Sequence, residues 1–442
     1  MRFSLVALGL LALSGCAADL CDPAALMAEV SAASAGDTIR LGACRVEGVA
    51  LEVGPGVTVQ GRPGSVLVGD GAEPVVRLTG ATLTDVEIEL DGGVGVVATG
   101  ASARVEGVEI RLTRGVGVQA TDLGRLDVSD LTIQGPVDPA DGTSILPEAD
   151  PTEGAWGLVA RDVIDGDLFD VEIVRVGPWG VIVWNSRLEM RQSVVRDCVG
   201  TGIYAEGGAL TLTDVRVEHP IRGLQPYPAY GLAATDGASV TSTSLTIAGG
   251  DGVGLMHDSG TGVHEGLEVS GQPHGGVWVQ RGGDVTLTNA SIHDNAVAGL
   301  VATGANALRV EGGTIRDTAL GRSIFGAAVV EAGDGVQVFT PAGPTTLLDV
   351  SLIDNGRVGA IFDLGATPLA DVSLSRVEVA GDTLGCLAQD GAGLVALGGW
   401  DDGVTRTGAV ATNDPAQIDV LTVIGTVEAD DLPSVDLGLL MP

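Results

Sequence analysis

Aromatic side chains in this chain gather around one recurring feature, a glycine followed by alternating apolar residues. Nine of the thirteen aromatic residues lie on this pattern or just before it. Their rings stand beside polar residues, which suits a sugar, because a sugar has an apolar C–H face and a hydroxylated rim. We predict that the ligand-contacting residues are Trp156, Trp179, Trp184, Tyr204, Tyr227, Tyr230, Met256 and Trp278.

Two carboxylates, Glu206 and Asp258, occupy equivalent positions of the same pattern. They are two repeats apart, which in stacked strands corresponds to roughly 9 to 10 Å. Hydrolysis of a glycosidic bond needs two carboxyl groups, and this separation leaves room for a water. His257 precedes Asp258, but strand alternation directs it inward, where a histidine is usually a hydrogen-bonded core residue. Glu206 and Asp258 are therefore the catalytic residues of an alternative hypothesis. The main prediction is that the protein is not an enzyme.

Four aspartates recur at a single turn of the repeat. They are Asp197, Asp294, Asp317 and Asp354. Stacked carboxylates would suit calcium, a hard ion that takes oxygen ligands. The alternative, which we favour, is that each aspartate accepts hydrogen bonds from backbone N–H groups of its own turn. We predict no cofactor, with calcium as the exception that this column leaves open.

The sequence repeats about every 22 residues. The recurring glycines are Gly95, Gly117, Gly157, Gly180, Gly202, Gly231, Gly254, Gly276, Gly299, Gly326 and Gly359. A strand-like landmark residue recurs as well, at Ile88, Ile110, Ile133, Ile173, Val195, Val217, Ile247, Val269, Ile292, Ile315, Leu352 and Val379. Longer intervals indicate insertions on one corner, the clearest being 136–155, 220–229 and 318–324.

Each period has room for two or three short strands and none for a crossover helix. We therefore predict an all-β parallel β-helix solenoid of about 14 coils, in which each strand bonds to its equivalent one period later. Inward residues then form one continuous core, and glycine supplies positive φ at the turns. An outward apolar column, here called the stripe, comprises Val97, Gln119, Val159, Ile182, Tyr204, Ala233, Met256, Trp278 and Val301. The stripe is either an open groove or a second core buried under the insertions.

The start of the repeat is Ala-rich, with Leu26, Met27 and Val30 at helical spacing, which predicts a short N-terminal capping helix. This N-terminal segment and the repeat resemble right-handed parallel β-helix proteins of the pectate-lyase-like superfamily, over residues 24–425. The resemblance implies a right-handed coil and a polysaccharide lying along a sheet, across the coils. The superfamily includes lyases, hydrolases, epimerases and adhesins. Its clustered calcium aspartates with a nearby basic residue are missing here, as are its hydrolase motifs Asn-Thr-Asp and Gly-His-Gly.

The N-terminus has the features of an export signal. Arg2 precedes a short apolar run, and Leu13, Ser14, Gly15 and Cys16 resemble the lipobox of bacterial lipoproteins. The resemblance implies a signal peptide over 1–15, acyl chains on Cys16 and an outer-membrane, surface-exposed location. An ordinary signal peptide that ends near a cysteine is the alternative.

Export implies an oxidising compartment, and we predict a disulfide between Cys21 and Cys44. The predicted organisation is a tether and cap over 16–50, the β-helix over 51–427 and a C-terminal cap or tail over 428–442. Cys198 and Cys386 are expected to be lone, buried thiols.

The net charge of −35 excludes nucleic acid as a partner, because such a surface repels phosphates. The predicted partners are a membrane, reached through the lipid anchor, and a polysaccharide or a surface protein. We expect a non-catalytic cell-surface module that is structural or binds a glycan or another partner. A hydrolase or lyase acting on polysaccharide is the alternative.

Overall fold

The computed structural model is a right-handed parallel β-helix of about 14 turns with one short helix near its start. It describes residues 20–136, 154–221, 229–322, 331–365, 371–382, 384–389 and 404–407. The predicted signal peptide, Cys16, Tyr227 and the segment 428–442 lie outside these ranges. The predicted fold class is confirmed.

The first elements are α1 (Pro23–Ala32), β1 (Thr38–Arg40), β2 (Arg45–Glu47), β3 (Leu51–Val53), β4 (Thr58–Gln60), β5 (Val66–Val68), β6 (Val76–Thr79), β7 (Thr82–Thr84), β8 (Glu87–Leu90), β9 (Val94–Glu106), β10 (Glu109–Leu112), β11 (Gly115–Gln134) and β12 (Ala155–Val174). The central strands are β13 (Trp179–Trp184), β14 (Arg187–Arg191), β15 (Val194–Arg196), β16 (Thr201–Glu206), β17 (Ala209–Thr213), β18 (Arg216–Glu218), β19 (Tyr230–Thr235), β20 (Ser239–Thr243), β21 (Thr246–Ala248), β22 (Val253–Asp258), β23 (Thr261–Glu265), β24 (Glu268–Ser270) and β25 (Gly275–Gln280). The last strands are β26 (Asp284–His293), β27 (Val297–Thr303), β28 (Ala307–Arg316), β29 (Gly321–Arg322), β30 (Glu331–Phe339), β31 (Thr345–Leu348), β32 (Ser351–Ile353), β33 (Val358–Asp363), β34 (Val372–Ser375), β35 (Val377–Ala380), β36 (Leu384–Gln389) and β37 (Val404–Thr407).

Each coil contributes three strand segments, which stack in parallel into three sheets. Sheet 1 contains the recurring glycine, sheet 2 the middle segment and sheet 3 the landmark residue. The landmark residues pair in unbroken succession from Ile88 to Val379. The ladder pairing that the repeat predicts is therefore confirmed.

One coil differs from the prediction. Val336 pairs with Leu300, so the glycine equivalent to Gly299 is Gly335, and Gly326 lies outside the described ranges. The extra residues of this coil include an antiparallel pairing of β29 with β30, which the repeat pattern does not contain.

The N-terminal end of the solenoid is closed by α1 and a disulfide. Asp22 caps the helix by accepting a hydrogen bond from the Ala25 N–H (2.8 Å). Leu26 and Val30 are buried and join the core. Cys21 and Cys44 are bonded, with their Cα atoms 5.9 Å apart. Parallel pairing begins at β1, inside the segment predicted as tether and cap.

Each of the three corners of a coil carries a residue in the left-handed conformation, and this residue is often Asp, Asn or Gly. The corner after sheet 3 contains the four aspartates singled out above, with φ between 54° and 55°. Short polar residues and glycine adopt this conformation at least cost, which explains their frequency at the corners.

The recurring glycines of sheet 1 differ from the turn glycines, because their φ is not positive. A Cβ on Gly180 would lie 2.5 Å from the Gly202 carbonyl oxygen and 2.6 Å from Val195 Cγ1. Gly157 and Gly202 are restricted in the same way. Glycine is thus required here for close approach between coils.

The inward side chains form one continuous aliphatic core from Leu26 to Ala388, as the repeat predicts. In the part of the chain that the structure describes, no helix is long and apolar enough to cross a membrane.

Candidate functional site

The stripe is a second core and not an open groove. All nine of its side chains are buried, and most belong to an apolar cluster separate from the main core. Trp156, Trp179, Tyr230 and Val253 join this cluster from the position before the glycine. The burial of the stripe agrees with the second core of the two alternatives left open by the sequence, and most residues of the insertions lie outside the described ranges. An outward position on a strand is exposed only when nothing packs over it.

The predicted ligand-contacting residues therefore have little accessible surface. Trp156 and Trp179 pack against each other, with ring centroids 4.6 Å apart. Tyr204, Tyr230 and Met256 are buried, and so is Trp278. Trp184 is the partly exposed member of the described set. That these residues contact a ligand stays a prediction.

A row of outward side chains runs beside the stripe, two residues further along each strand of sheet 1. This rim row consists of Arg161, Trp184, Glu206, Thr235, Asp258 and Gln280. Strand pairing aligns Arg161 with Trp184, Trp184 with Glu206, and Glu206 with Thr235. His257 pairs with Ala234, which places Asp258 beside Thr235. The rim row thus brings together the two carboxylates singled out from the sequence, on coils separated by one other.

The first three members of the rim row are partly exposed. The guanidinium carbon of Arg161 lies 5.2 Å from the centroid of the Trp184 ring, a cation–π contact. The Nε of Arg161 also donates to Asp162 (3.2 Å). An aromatic face, a cation and a carboxylate therefore stand side by side along the axis of the solenoid.

Glu206 is held by a chain of hydroxyl groups. The Tyr204 hydroxyl donates to Glu206 Oε2 (2.8 Å), and the Thr235 hydroxyl donates to the Tyr204 oxygen (3.1 Å). Burial raises the pKa of Tyr204, so this phenol remains a donor. One carboxylate oxygen of Glu206 is thereby fixed toward the stripe.

Asp258 is buried and paired with Arg281. Its side chain is 4% exposed, and the Arg281 guanidinium binds both of its oxygens, with Nε 2.6 Å from Oδ1. Arg281 is in the left-handed conformation at the corner after sheet 1. Arg281 was not predicted from the sequence, because a corner residue has no defined direction in a strand pattern. Its position 23 residues after Asp258, one repeat later, is the signal that could have found it.

His257 points inward, as alternation predicts, and takes part in a buried polar chain. Its Nε2 lies 2.9 Å from Nε2 of His264, whose Nδ1 lies 2.8 Å from the Ser242 hydroxyl. Burial lowers the pKa of His264 to about 4 and that of His257 well below its usual value. His264 and Ser242 were not anticipated, although both occupy inward positions of sheet 2. This chain is enclosed in the core and is not part of the rim row.

The four turn aspartates do not form a cation site. Asp197 faces Arg196 (3.2 Å), Asp294 faces His293 (2.7 Å), and Asp317 contacts Arg316. Among the residues that the structure describes, no three His, Cys, Asp or Glu side chains are placed to hold a metal ion. The left-handed conformation at this corner favours short polar residues and accounts for the column. That the aspartates accept hydrogen bonds from their own turns stays a prediction.

Comparison with known proteins agrees with the fold. The family described as right handed beta helix region matches residues 179–359. No curated protein matches the chain in sequence.

Three of the solved structures that this chain is similar to are epimerases of mannuronan or alginate. The A-module of the mannuronan C-5 epimerase AlgE6 of Azotobacter vinelandii is 15% identical, with a TM-score of 0.38, over 88% of this chain and 95% of that one. The AlgE4 A-module of the same organism is 14% identical, with a TM-score of 0.40, over 81% and 92%. The periplasmic alginate epimerase AlgG is 12% identical, with a TM-score of 0.42, over 88% and 83%.

Proposed function

We propose that this protein is a non-catalytic cell-surface module that binds a glycan along the rim row. The observation that carries the proposal is the alignment of Arg161, Trp184 and Glu206 on three successive coils, all partly exposed. The ring of Trp184 suits the C–H groups of a sugar. It lies between Arg161, which can donate hydrogen bonds to sugar hydroxyl groups, and Glu206, which can accept them. Successive coils are about 4.8 Å apart, which lets an extended sugar chain meet one coil after another.

The state of Asp258 argues against the alternative of a hydrolase. Both oxygens of this carboxylate are bound by Arg281, and the group is buried. A general acid must hold a proton and a general base must offer a lone pair to a water. Asp258 does neither while the guanidinium occupies it. Glu206 alone does not supply the pair of carboxyl groups that the reaction needs.

The proposed location rests on the N-terminal sequence. Acylation of Cys16 after removal of residues 1–15 would anchor the protein in the outer membrane, since several acyl chains together hold a protein stably. Cys16→Ser should abolish incorporation of labelled palmitate and release the protein from the membrane fraction. Cys198→Ala, which removes a thiol in the core, should leave both unchanged. Labelling of Cys16→Ser would contradict the anchor.

The binding function is tested with the purified full chain on an array of polysaccharides. We expect binding to at least one glycan without any change in its chain length. Glu206→Ala should weaken this binding about tenfold. Glu189→Ala, which removes a half-exposed carboxylate from sheet 2, should leave it unchanged. No binding to any glycan, or equal losses in the two variants, would contradict the proposal, and shortened products would favour the hydrolase.

A further inference from the structure

The charges on the rim row restrict the class of glycan that it accepts. We infer that the ligand is a neutral polysaccharide and not a polyuronate, an inference that rests on the proposed glycan-binding function. A polyuronate carries one carboxylate per sugar, and its binding therefore requires cations that are available to pair with these groups.

Arg161 of the rim row and Arg281, at the corner beside it, are both already engaged. Arg281 binds the two oxygens of Asp258, and its side chain is 34% exposed. Arg161 donates to Asp162 and stacks on Trp184. Each positive charge thus has a carboxylate partner within the protein. A uronate that paired with Arg281 would leave the buried Asp258 unpaired, and one that paired with Arg161 would compete with Asp162 for the same positive charge.

Glu206 adds a repulsive element to the same row. Its only polar partner among the described residues is the Tyr204 hydroxyl, which carries no positive charge. A uronate seated against Trp184 would bring a second carboxylate close to it, and like charges at that distance repel. A neutral sugar would instead donate its hydroxyl groups to the free oxygen of Glu206.

The net charge of the whole chain also disfavours a polyuronate ligand. A net charge of −35 creates a potential that slows the approach of polyanions and has no such effect on neutral chains. This long-range part is screened by salt, whereas the local pairing at Asp258 is not. The two contributions can therefore be separated by varying the ionic strength.

The experiment titrates the purified full chain with neutral hexasaccharides of glucose, mannose and xylose and with hexamers of mannuronate, guluronate and galacturonate. We expect a neutral probe to bind at least about tenfold more tightly than every uronate at low salt. Added salt should reduce this ratio without reversing it. Glu206→Gln should also reduce it, while Glu189→Gln on sheet 2 should not.

The titration distinguishes failure of the inference about neutral glycans from failure of the proposed glycan-binding function. Equal or tighter binding of a uronate would overturn the inference and leave the glycan-binding function in place. A ratio that Glu206→Gln leaves unchanged would also overturn the charge argument. Absence of binding by all six probes would overturn the proposed function and the inference with it.

Discussion

The guanidinium of Arg281 binds both carboxylate oxygens of Asp258, one coil away on sheet 1. Asp258 is 4% exposed, whereas Arg281 is 34% exposed. The pair links the corner after β25, where Arg281 lies, to the end of β22 in the preceding coil, where Asp258 lies. It also determines what Asp258 can do, because a carboxylate held in this way serves structure and not proton transfer.

Removal of the cation should therefore destabilise the solenoid. Arg281→Ala leaves a buried carboxylate unpaired, and we expect a loss of about 2 kcal/mol in the free energy of unfolding, reduced by the partial exposure of the pair. Arg376→Ala is the matched control, since its partner Asp349 is half exposed and water screens the pair. Denaturant unfolding of both variants measures the difference. Equal losses would contradict a structural role for the Asp258 pair.

The buried histidines should make stability depend on acid. Both imidazoles are neutral in the folded protein, with pKa values below those of the unfolded chain. Their contribution is present above the unfolded value of 6.5 and is lost as the pH falls toward about 4. For His264 this amounts to ~3 kcal/mol.

A double variant tests this pH dependence of stability. Its two replacements are the residues at the equivalent positions of the next coil. His257→Val and His264→Leu introduce the residues found one coil later, Val279 and Leu287. Thermal unfolding at neutral pH and at about pH 4.5 should show a smaller acid-induced loss in the double variant than in the original protein. The control is His219→Gln, because the His219 side chain is 66% exposed. The same acid dependence in the double variant would show that the carboxylates alone cause it.

Asp382 should have the opposite pH dependence. It lies at the end of an inward polar column with Asn295 and Asn355, and the Asn355 N–H donates to its carboxylate. Burial raises its pKa to about 7, so the protonated form is stable in the fold. This contribution is complete below the unfolded value of 3.8 and is lost as the pH rises through about 7.

Asp382→Asn supplies the residue that two other coils have at this position. We expect it to raise the free energy of unfolding by ~2–4 kcal/mol above pH 7 and to have little effect in acid. Asp214→Asn, at an exposed corner, is the control. Denaturant unfolding of both variants at acidic and alkaline pH measures the change in the free energy of unfolding. An unchanged alkaline stability in Asp382→Asn would mean that Asp382 is ionised in the fold without cost.

The sheet 1 glycines should not tolerate a methyl group. Gly180→Ala places a Cβ 2.5 Å from the Gly202 carbonyl oxygen, and the neighbouring coils must separate to accommodate it. We expect a loss of about 1–3 kcal/mol. Gly54→Ala has no atom within 4 Å of the new Cβ, and we expect a change of no more than about 1 kcal/mol. Similar melting temperatures for the two variants would contradict close approach as the reason for glycine.

The fold was predictable because one constraint repeats along the chain. An inward apolar residue must recur at the same place in each coil, and the interval of 22 or 23 residues between landmarks records this directly. The coil that contains Gly335 was misplaced, because the residues inserted before it contain an apolar pattern of their own around Gly326. A local pattern does not distinguish an insertion from the next coil.

The site was less predictable, for a physical reason that Tyr204 and Arg281 illustrate. Strand alternation gives the direction of a side chain but not what packs over it, so Tyr204 was assigned correctly to the outward face and its burial was left open. Arg281 is at a corner, where alternation does not apply. The turn aspartates, such as Asp294, are frequent because their corner has a left-handed backbone conformation. A column of acidic residues in the sequence does not distinguish this cause from a cation site.

Two matched aromatic residues allow the most direct test of glycan binding at the rim row. Trp184 on sheet 1 has Arg161 at 5.2 Å, and Phe169 on sheet 2 has Arg191 at 5.6 Å, so each is a partly exposed ring under a guanidinium. The decisive measurement is a calorimetric titration of Trp184→Ala and Phe169→Ala with the best-binding oligosaccharide. We predict that Trp184→Ala weakens binding about tenfold or more and that Phe169→Ala leaves it unchanged. Unchanged affinity in Trp184→Ala, or the same loss in Phe169→Ala, would contradict binding at the rim row.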